Sequence, residues 1–113
     1  MACRVIFDGD TPVPLVAVPT AQVAAGSPAS GLVEFDVVGA DVGVWEHTVG
    51  VSTDVEADEV FVVISGRATI TVKGSEEPPL RIGPGDVIEL EAGAETIWDV
   101  HETVRKLWLL PQR

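Results

Sequence analysis

Short runs of β-branched residues separated by glycine-containing turns make up most of the chain after residue 40. Gly66, Gly74, Gly85 and Gly93 mark these turns and recur at spacings of about 8 to 10 residues. Val, Ile and Thr dominate the runs, and their branched Cβ atoms favour pleated strands over helices. The pattern predicts strands at residues 4–7, 32–38, 42–47, 60–65, 67–73, 86–91, 95–100 and 104–110. No segment combines helical periodicity with helix caps, so the chain is expected to be all-β.

Residues 1–31 have a different composition from the rest of the chain. They contain Pro12, Pro14 and Pro19 and predict an N-terminal strand followed by an extended arm. The apolar stretch 13–18 is expected to lie along a sheet edge, either its own or that of a partner. Residues 32–113 are expected to form the β-barrel, within one structural domain overall.

The turn formed by Gly83, Pro84, Gly85 and Asp86 favours a particular closure of the strands. Glycine permits positive φ angles and proline fixes the bend, so this segment predicts a tight corner between successive strands. Nine or ten short strands, by rough count, close as a sandwich or a barrel. The corner favours a double-stranded β-helix of jelly-roll type.

Charge and composition exclude several classes of partner. The net charge is −11 with only seven Lys and Arg residues, which argues against nucleic acid and anionic membranes. The single Cys3 allows no internal disulfide, as expected in a reducing compartment. No secretory signal and no apolar run of the ~20 residues that span a bilayer is visible. A cytoplasmic location is expected.

Four motifs in order give the chain a family resemblance. They are Gly43-Val44-Trp45-Glu46, the interval from Glu59 to Gly66, Gly83-Pro84-Gly85-Asp86, and Trp98-x-Val100-x-Glu102 leading to Arg105-Lys106. In this spacing the chain from about residue 43 to residue 110 resembles the cupins. Within them it is similar to the small single-domain group related to ureidoglycine-aminohydrolase and ethanolamine-utilisation cupins, the DUF861 type. The resemblance implies a jelly-roll barrel and a homodimer.

The resemblance also indicates where a metal-binding cupin carries its histidines. Those positions hold Thr53, Val55 and Thr96 here, and shifting the register by one residue gives Ser52 and Asp54 instead. Of the family's four ligands only Glu59 remains. One carboxylate does not hold a transition metal, so neither a standard metal centre nor another cofactor is expected.

Glu59 is the candidate anchor of a pocket, because it begins a strand that continues through Phe61 and Val63. If the three face inward, a carboxylate lies in an apolar cavity, where it is a candidate proton acceptor. Alternatively Glu59 is one more acid on a solvated turn. The resemblance places Lys106 on a strand facing this region, where an ion pair with Glu59 or Glu46 is expected. Arg105, on the opposite face of that strand, is expected in solvent.

The two histidines have different predicted positions. His47 shares strand parity with Thr53 and Val55, so it is either a ligand or base near Glu59 or a structural strand histidine. His101 lies off the parity of Thr96 and is expected at the surface. The full set of candidate ligand-binding residues is His47, Thr53, Val55, Glu59, Phe61, Thr96, Trp98 and Lys106.

Three functions remain open from the sequence. The first is a metal-independent cupin that binds a compact polar metabolite, with Trp98 and Phe61 as the apolar wall. The second is a metal-dependent enzyme that uses unusual ligands such as His47 with Glu59. The third is a non-catalytic dimeric scaffold, which a barrel filled by its own Val and Ile side chains would favour. Whether the protein is an enzyme is left open, and Glu59 is the one candidate catalytic residue.

Overall fold

The computed structural model describes residues 2–111 of the 113-residue chain. Strands are the main elements, and this part of the chain contains one 3-10 turn, η1 (Thr20–Gln22), and no α-helix. The strands are β1 (Val16–Ala17), β2 (Val23–Ala25), β3 (Ala29–Glu34), β4 (Asp41–His47), β5 (Gly50–Val55), β6 (Glu59–Val72), β7 (Leu80–Ile82), β8 (Val87–Leu90) and β9 (Glu95–Leu110). The prediction of an all-β protein is confirmed.

The last strand, β9, organises the sheet because it pairs on both of its edges. One edge pairs with β5 along the first half of β9 and with β4 along the second half, both antiparallel. The other edge pairs with β6, which continues to β7 and β8. β3 and then β1 extend the sheet beyond β4, and β2 extends it beyond β5. The curled sheet has the predicted jelly-roll form.

Even-numbered residues of β9 point into the barrel. Side chains in a strand alternate between its two faces, and on β9 every even position except Glu102 and Leu110 is buried while no odd position is. The apolar core between the two halves of the sheet consists of Phe61, Val63, Ala68, Ile70, Ile82, Leu90, Trp98, Val100, Val104 and Trp108. Two polar side chains, Thr96 and Lys106, are buried on this same face of β9.

Two predicted breaks between strands are wrong. β6 and β9 are each continuous, where the sequence pattern predicted two strands in each segment. In β6 the pairing register with β9 shifts around Gly66, which has a φ of 86°, so the glycine marks a bulge inside a strand. A bulge and a turn both require positive φ, and glycine spacing alone does not distinguish them.

The N-terminal segment also differs from its prediction. No strand forms at residues 4–7; Phe7 instead packs on Phe35 with ring centroids 5.5 Å apart, and the Arg105 guanidinium lies over the Phe7 ring. These contacts are made by side chains, so they do not require residues 4–7 to pair with another strand through backbone hydrogen bonds. The later apolar stretch does pair as an edge strand, because β1 is antiparallel to β3 of the same chain.

The corner at residues 83–86 forms as predicted. The Asp86 amide donates to the Gly83 carbonyl at 3.1 Å, and the Asp86 carboxylate accepts from the Gly83 amide at 2.8 Å. Gly85 has a φ of 91°. The turn joins β7 to β8, which both pair with β6. Within the described residues, no helix is long and apolar enough to cross a membrane.

Replacing Gly66 by alanine is expected to destabilise the fold far more than replacing Gly74. Both glycines have positive φ, 86° and 77°. A Cβ on Gly66 would lie 2.1 Å from the Thr103 carbonyl oxygen, whereas a Cβ on Gly74 meets nothing within 4 Å. We expect a loss of about 1 kcal/mol for Gly74→Ala and about 3 kcal/mol for Gly66→Ala, measured by urea unfolding. Equal losses would contradict this account of the bulge.

Candidate functional site

One end of the barrel opens into a cavity of about 340 Å³. β4, β5 and β9 provide its inner wall, and the arm before β3 closes one side. Its lining consists of Val18, Pro19, Gln22, Ser30, Leu32, Glu34, Trp45, His47, Ser52, Thr53, Asp54, Glu56, Glu59, Trp98, Lys106, Trp108 and Leu110. Charged, polar and aromatic side chains predominate in this set, although the barrel core next to it is apolar.

A buried ion pair lies at the inner wall of the cavity. The Lys106 ammonium donates to Glu59 Oε2 at 2.6 Å, and its side chain is only 6% exposed. The same ammonium lies 4.7 Å from the ring centroid of Trp45, 4.4 Å from that of Phe61 and 5.0 Å from that of Trp98. Three aromatic faces and one carboxylate together replace the water that the ammonium would otherwise bind. The ion pair predicted between Lys106 and Glu59 is confirmed.

A second carboxylate, Glu56, is held by two neutral donors. Its Oε2 accepts from the Thr96 hydroxyl at 2.6 Å and from the Trp98 indole N–H at 3.0 Å. Both donors come from the inward face of β9, and Glu56 follows directly after β5. Hydrogen bonds to an ionised oxygen are stronger than neutral ones, so this pair of bonds fixes the direction of the Glu56 side chain.

His47 is buried and both of its ring nitrogens have partners. Nδ1 lies 2.6 Å from the Thr48 carbonyl oxygen, and Nε2 lies 2.8 Å from the Ser52 hydroxyl. Burial lowers the pKa of His47 below its usual value, and the bond to Thr48 opposes that shift only in part. The ring is therefore neutral near pH 7, and it fixes the Ser52 hydroxyl at the cavity wall.

Asp54 lies beside Glu56 and is exposed to solvent, although part of its carboxyl group is desolvated. Burial raises the pKa of the Asp54 carboxyl, and the negative charge of Glu56 raises it further. A bond from the Val55 amide to Asp54 Oδ1, at 2.8 Å, and the positive charge of Lys106 oppose the increase. Two carboxylates thus share one part of the cavity with incomplete compensation by the lysine.

The strand β5 presents its even-numbered face to the cavity, contrary to the predicted parity. Ser52 pairs with Trp98, and Asp54 pairs with Thr96, on the inward face of β9. Val55 is 64% exposed and does not line the cavity, so its predicted position is wrong. Thr53 does contribute to the lining, but its hydroxyl is bonded to the Gln22 carbonyl at 3.4 Å. Because side chains alternate along a strand with a period of two, an error of one residue exchanges the inward and outward faces.

The other candidate residues either line the cavity or lie buried behind its lining. Glu59, Trp98, Lys106 and His47 line the cavity. Phe61 and Thr96 are buried behind that lining, where Phe61 contacts Lys106 and Thr96 contacts Glu56. These two predicted wall residues therefore act on the cavity through its lining residues.

Two further predictions concern residues outside the cavity. His101 is half exposed and bonds the Thr69 hydroxyl at 2.8 Å, which confirms its surface position. Arg105 was expected in solvent, and this is wrong because its guanidinium pairs with Glu46 at 2.9 Å and is 12% exposed.

Sequence reasoning did not propose Ser52, Asp54 and Glu56 as site residues, and it named Ser52 and Asp54 only as an alternative register for the family's ligand positions. They follow one another at a spacing of two residues, which is the period of one strand face. That signal was present in the sequence, but a polar face of a strand ordinarily faces solvent. Only the pairing of β5 with the inward face of β9 shows that these side chains face a cavity.

The residues at this site do not fit a cupin metal centre. No group of three or more His, Cys, Asp or Glu side chains within residues 2–111 is arranged to hold a metal ion. His47 uses both nitrogens in bonds to the protein, and the paired oxygens of Glu56 and Glu59 already accept bonds from Trp98 and Lys106. The donor set required for zinc or iron is three or four converging ligands.

A curled antiparallel barrel with a polar cavity at one end is the architecture of a cupin. A family model described as the EutQ-like cupin domain matches residues 39–108, which is more than half of the chain. The chain belongs to the EutQ-like cupin family. The matched segment contains β4 to β9, and the N-terminal arm and β3 lie outside it.

Solved structures of related proteins share the fold. EutQ of Clostridium difficile is 16% identical with a TM-score of 0.61, covering 73% of this chain and 61% of that one. The putative ethanolamine utilization protein Q of Salmonella typhimurium LT2 is 15% identical with a TM-score of 0.61, covering 89% and 96%. A DUF861 family protein of Thermotoga maritima is 25% identical with a TM-score of 0.55, covering 60% and 76%. No curated protein matches the chain in sequence.

Replacing Lys106 by methionine is expected to destabilise the protein by about 3 kcal/mol, because it leaves Glu59 without its cation. Methionine keeps most of the lysine volume among the aromatic rings, so lost packing is small. Lys73→Met is the control, since Lys73 is exposed and has no side-chain bond among the described residues. Urea unfolding measures both. The double variant Lys106→Met with Glu59→Leu should regain part of the loss, and equal stability of the two single variants would refute the ion pair.

His47 should make stability fall as the pH is lowered. Its folded pKa lies below the usual value of 6.5, so the unfolded chain binds the proton more readily. The stabilisation is complete above the unfolded pKa and is lost as the pH falls towards the folded one. Between about pH 7.5 and about pH 5.5 the wild type should lose about 1 kcal/mol more than His47→Gln. An identical pH dependence in both proteins, measured by urea unfolding, would be inconsistent with a buried neutral His47.

Proposed function

We propose that this cupin binds a small polar metabolite in the barrel cavity without a standard cupin metal centre. The main support is that the cavity exists and that charged and polar side chains stand among the apolar and aromatic side chains of its wall. A barrel closed by its own Val and Ile side chains would have supported a purely structural role. Instead Ser52, Glu56 and Glu59 line a space of about 340 Å³, which lies within the range of small-molecule sites.

Precise fixation of the polar groups supports the same proposal. Glu59 is held by Lys106, Glu56 by Trp98 and Thr96, and Ser52 by His47. Each of these side chains is oriented before any ligand arrives, which lowers the entropy cost of binding. A wall that only needed to be solvated would not require such bonds, because water satisfies exposed carboxylates without fixing them.

A metal-dependent enzyme is the second candidate. Its strongest support is that His47 and Glu59 both line the cavity, together with the fold shared with other cupins. To act as a ligand, however, His47 would have to give up its bond to Ser52. The homodimer and the cytoplasmic location stay predictions, and neither changes the assignment of the cavity.

The test compares Glu59→Gln with the wild type in ligand binding and in metal content. Ligand-observed NMR with a panel of amines, amino acids, hydroxy acids and sugars detects binding, and elemental analysis after dialysis measures metal. We expect at least one compound to bind, and Glu59→Gln to change its affinity by about tenfold, because a charged group and its bond are worth about 1.4 kcal/mol. Metal content should not change.

The control is Glu76→Gln, which makes the same change of charge at an exposed position away from the cavity. It should bind like the wild type. About one zinc, manganese or iron per chain, lost in Glu59→Gln and retained in Glu76→Gln, would overturn the proposal in favour of the enzyme. No binding by any compound would favour the structural role.

A further inference from the structure

Two hydrogen-bond donors in the buried part of the cavity are used within the protein. The Lys106 ammonium donates to Glu59, and the Trp98 indole N–H donates to Glu56. The remaining faces of the ammonium contact three aromatic rings, and the side chain is almost completely buried. The one cation that lines the cavity is therefore poorly placed to receive an anionic ligand.

The Ser52 hydroxyl is also used as a donor. The Thr48 carbonyl only accepts hydrogen bonds, so His47 carries its proton on Nδ1 at neutral pH. Nε2 of a neutral ring then accepts, and the Ser52 hydroxyl must donate to it over 2.8 Å. Ser52 is only 7% exposed, and its oxygen can offer the cavity a lone pair but no proton. Ser52 therefore requires a ligand that donates.

Acceptors, by contrast, remain available. Both bonds to Glu56 and the single bond to Glu59 involve Oε2, and Oε1 of each takes part in no hydrogen bond among residues 2–111. Asp54 uses only Oδ1, in its bond from the Val55 amide. The half-buried Gln22 amide and Ser30 hydroxyl in the lining can either donate or accept. Carboxylate oxygens of the half-buried Glu56 and Glu59 and of the exposed Asp54 are therefore available to a ligand, beside the N–H groups of the Trp45 and Trp108 indoles.

The net charge of the cavity lining is negative, which also favours a ligand that carries hydrogen-bond donors and a positive charge. Glu34, Asp54, Glu56 and Glu59 line the cavity against the single Lys106, while His47 is neutral. Proximity of uncompensated carboxylates is unfavourable in a partly buried site, and a bound cation would relieve it. An anion would add to the repulsion.

The aromatic part of the lining indicates an organic cation. Trp45, Trp98 and Trp108 all line the cavity, together with Leu32 and Leu110. Apolar and aromatic surface of this kind binds a carbon frame and also attracts a cation through the ring faces. A bare metal ion would leave this surface without a partner.

We propose that the ligand of this cavity is a small protonated amine on an apolar carbon frame, bound through its N–H groups by Ser52, Glu56 and Asp54. The inference rests on the proposed function, since it names the chemical class of the metabolite that the cavity takes. Primary and secondary amines fit it, and carboxylates and phosphates do not.

Four probes with the same aromatic frame test the inference by isothermal titration calorimetry at neutral pH. Benzylamine carries charge and N–H donors, trimethylbenzylammonium carries charge alone, benzyl alcohol carries a neutral donor, and benzoate carries negative charge. We expect benzylamine to bind about tenfold more tightly than either trimethylbenzylammonium or benzyl alcohol. Benzoate should bind at least about 100-fold more weakly than benzylamine.

Two variants locate the bound amine. Glu56→Gln and Asp54→Asn should each weaken benzylamine binding by about tenfold, because each removes one charge-assisted acceptor. Glutamine at position 56 can still accept from Trp98 and Thr96, and a thermal melt verifies that both variants fold. Glu76→Gln, the matched exposed change, should bind benzylamine like the wild type.

The outcomes separate this inference from the proposed function. Benzoate or benzyl alcohol binding as tightly as benzylamine overturns the inference, while a ligand-binding cavity remains. In another outcome, calcium chloride displaces benzylamine at a concentration lower than the one at which benzylamine itself binds. That result also overturns the inference, because the cavity would then prefer an inorganic cation. Failure of all four probes, or binding that neither cavity variant weakens, overturns the inference, whereas the proposed function fails only if no compound of the wider panel binds.

Discussion

Burial of the Lys106 ammonium is the constraint on which the cavity depends. A charge removed from water must be paired, and Glu59 supplies the pairing carboxylate from the first residue of β6. Lys106 itself lies on β9, so the ion pair joins the two longest strands of the barrel. The rings of Trp45, Phe61 and Trp98 then surround the ammonium. This arrangement keeps a buried ion pair at the inner wall of the cavity.

The rest of the cavity wall comes partly from β9 and partly from the segment that lies outside the family match. Thr96 and Trp98 hold Glu56 from β9, within residues 39–108 that the EutQ-like cupin model matches. Other lining residues precede the matched segment and come from the arm and β3: Val18, Pro19, Gln22, Ser30, Leu32 and Glu34. The matched barrel thus supplies the charged inner wall, and the N-terminal part outside the match supplies one side of the cavity.

The sequence predicted the parts of the site that depend on a single strand. Parity with Thr96 placed Trp98 on the inward face, while the family resemblance placed Lys106 on a strand facing the pocket and supported the inward position of Glu59. The inward positions of Thr53 and Val55 came from aligning the family motif on Glu59, and residues 56–58 between them and Glu59 lie outside the strands. Alternation does not carry through such a segment. The role of Glu56 depended on pairing between β5 and β9, which local pattern does not determine.

The tautomer of His47 tests the central claim most directly, because it fixes whether Ser52 gives its proton to the histidine or to the cavity. Long-range proton–nitrogen NMR correlation at neutral pH distinguishes the two ring nitrogens of His47. The account predicts a proton on Nδ1, facing the Thr48 carbonyl, and none on Nε2, which accepts from Ser52. A proton on Nε2, in either the other neutral tautomer or a charged ring, would contradict it.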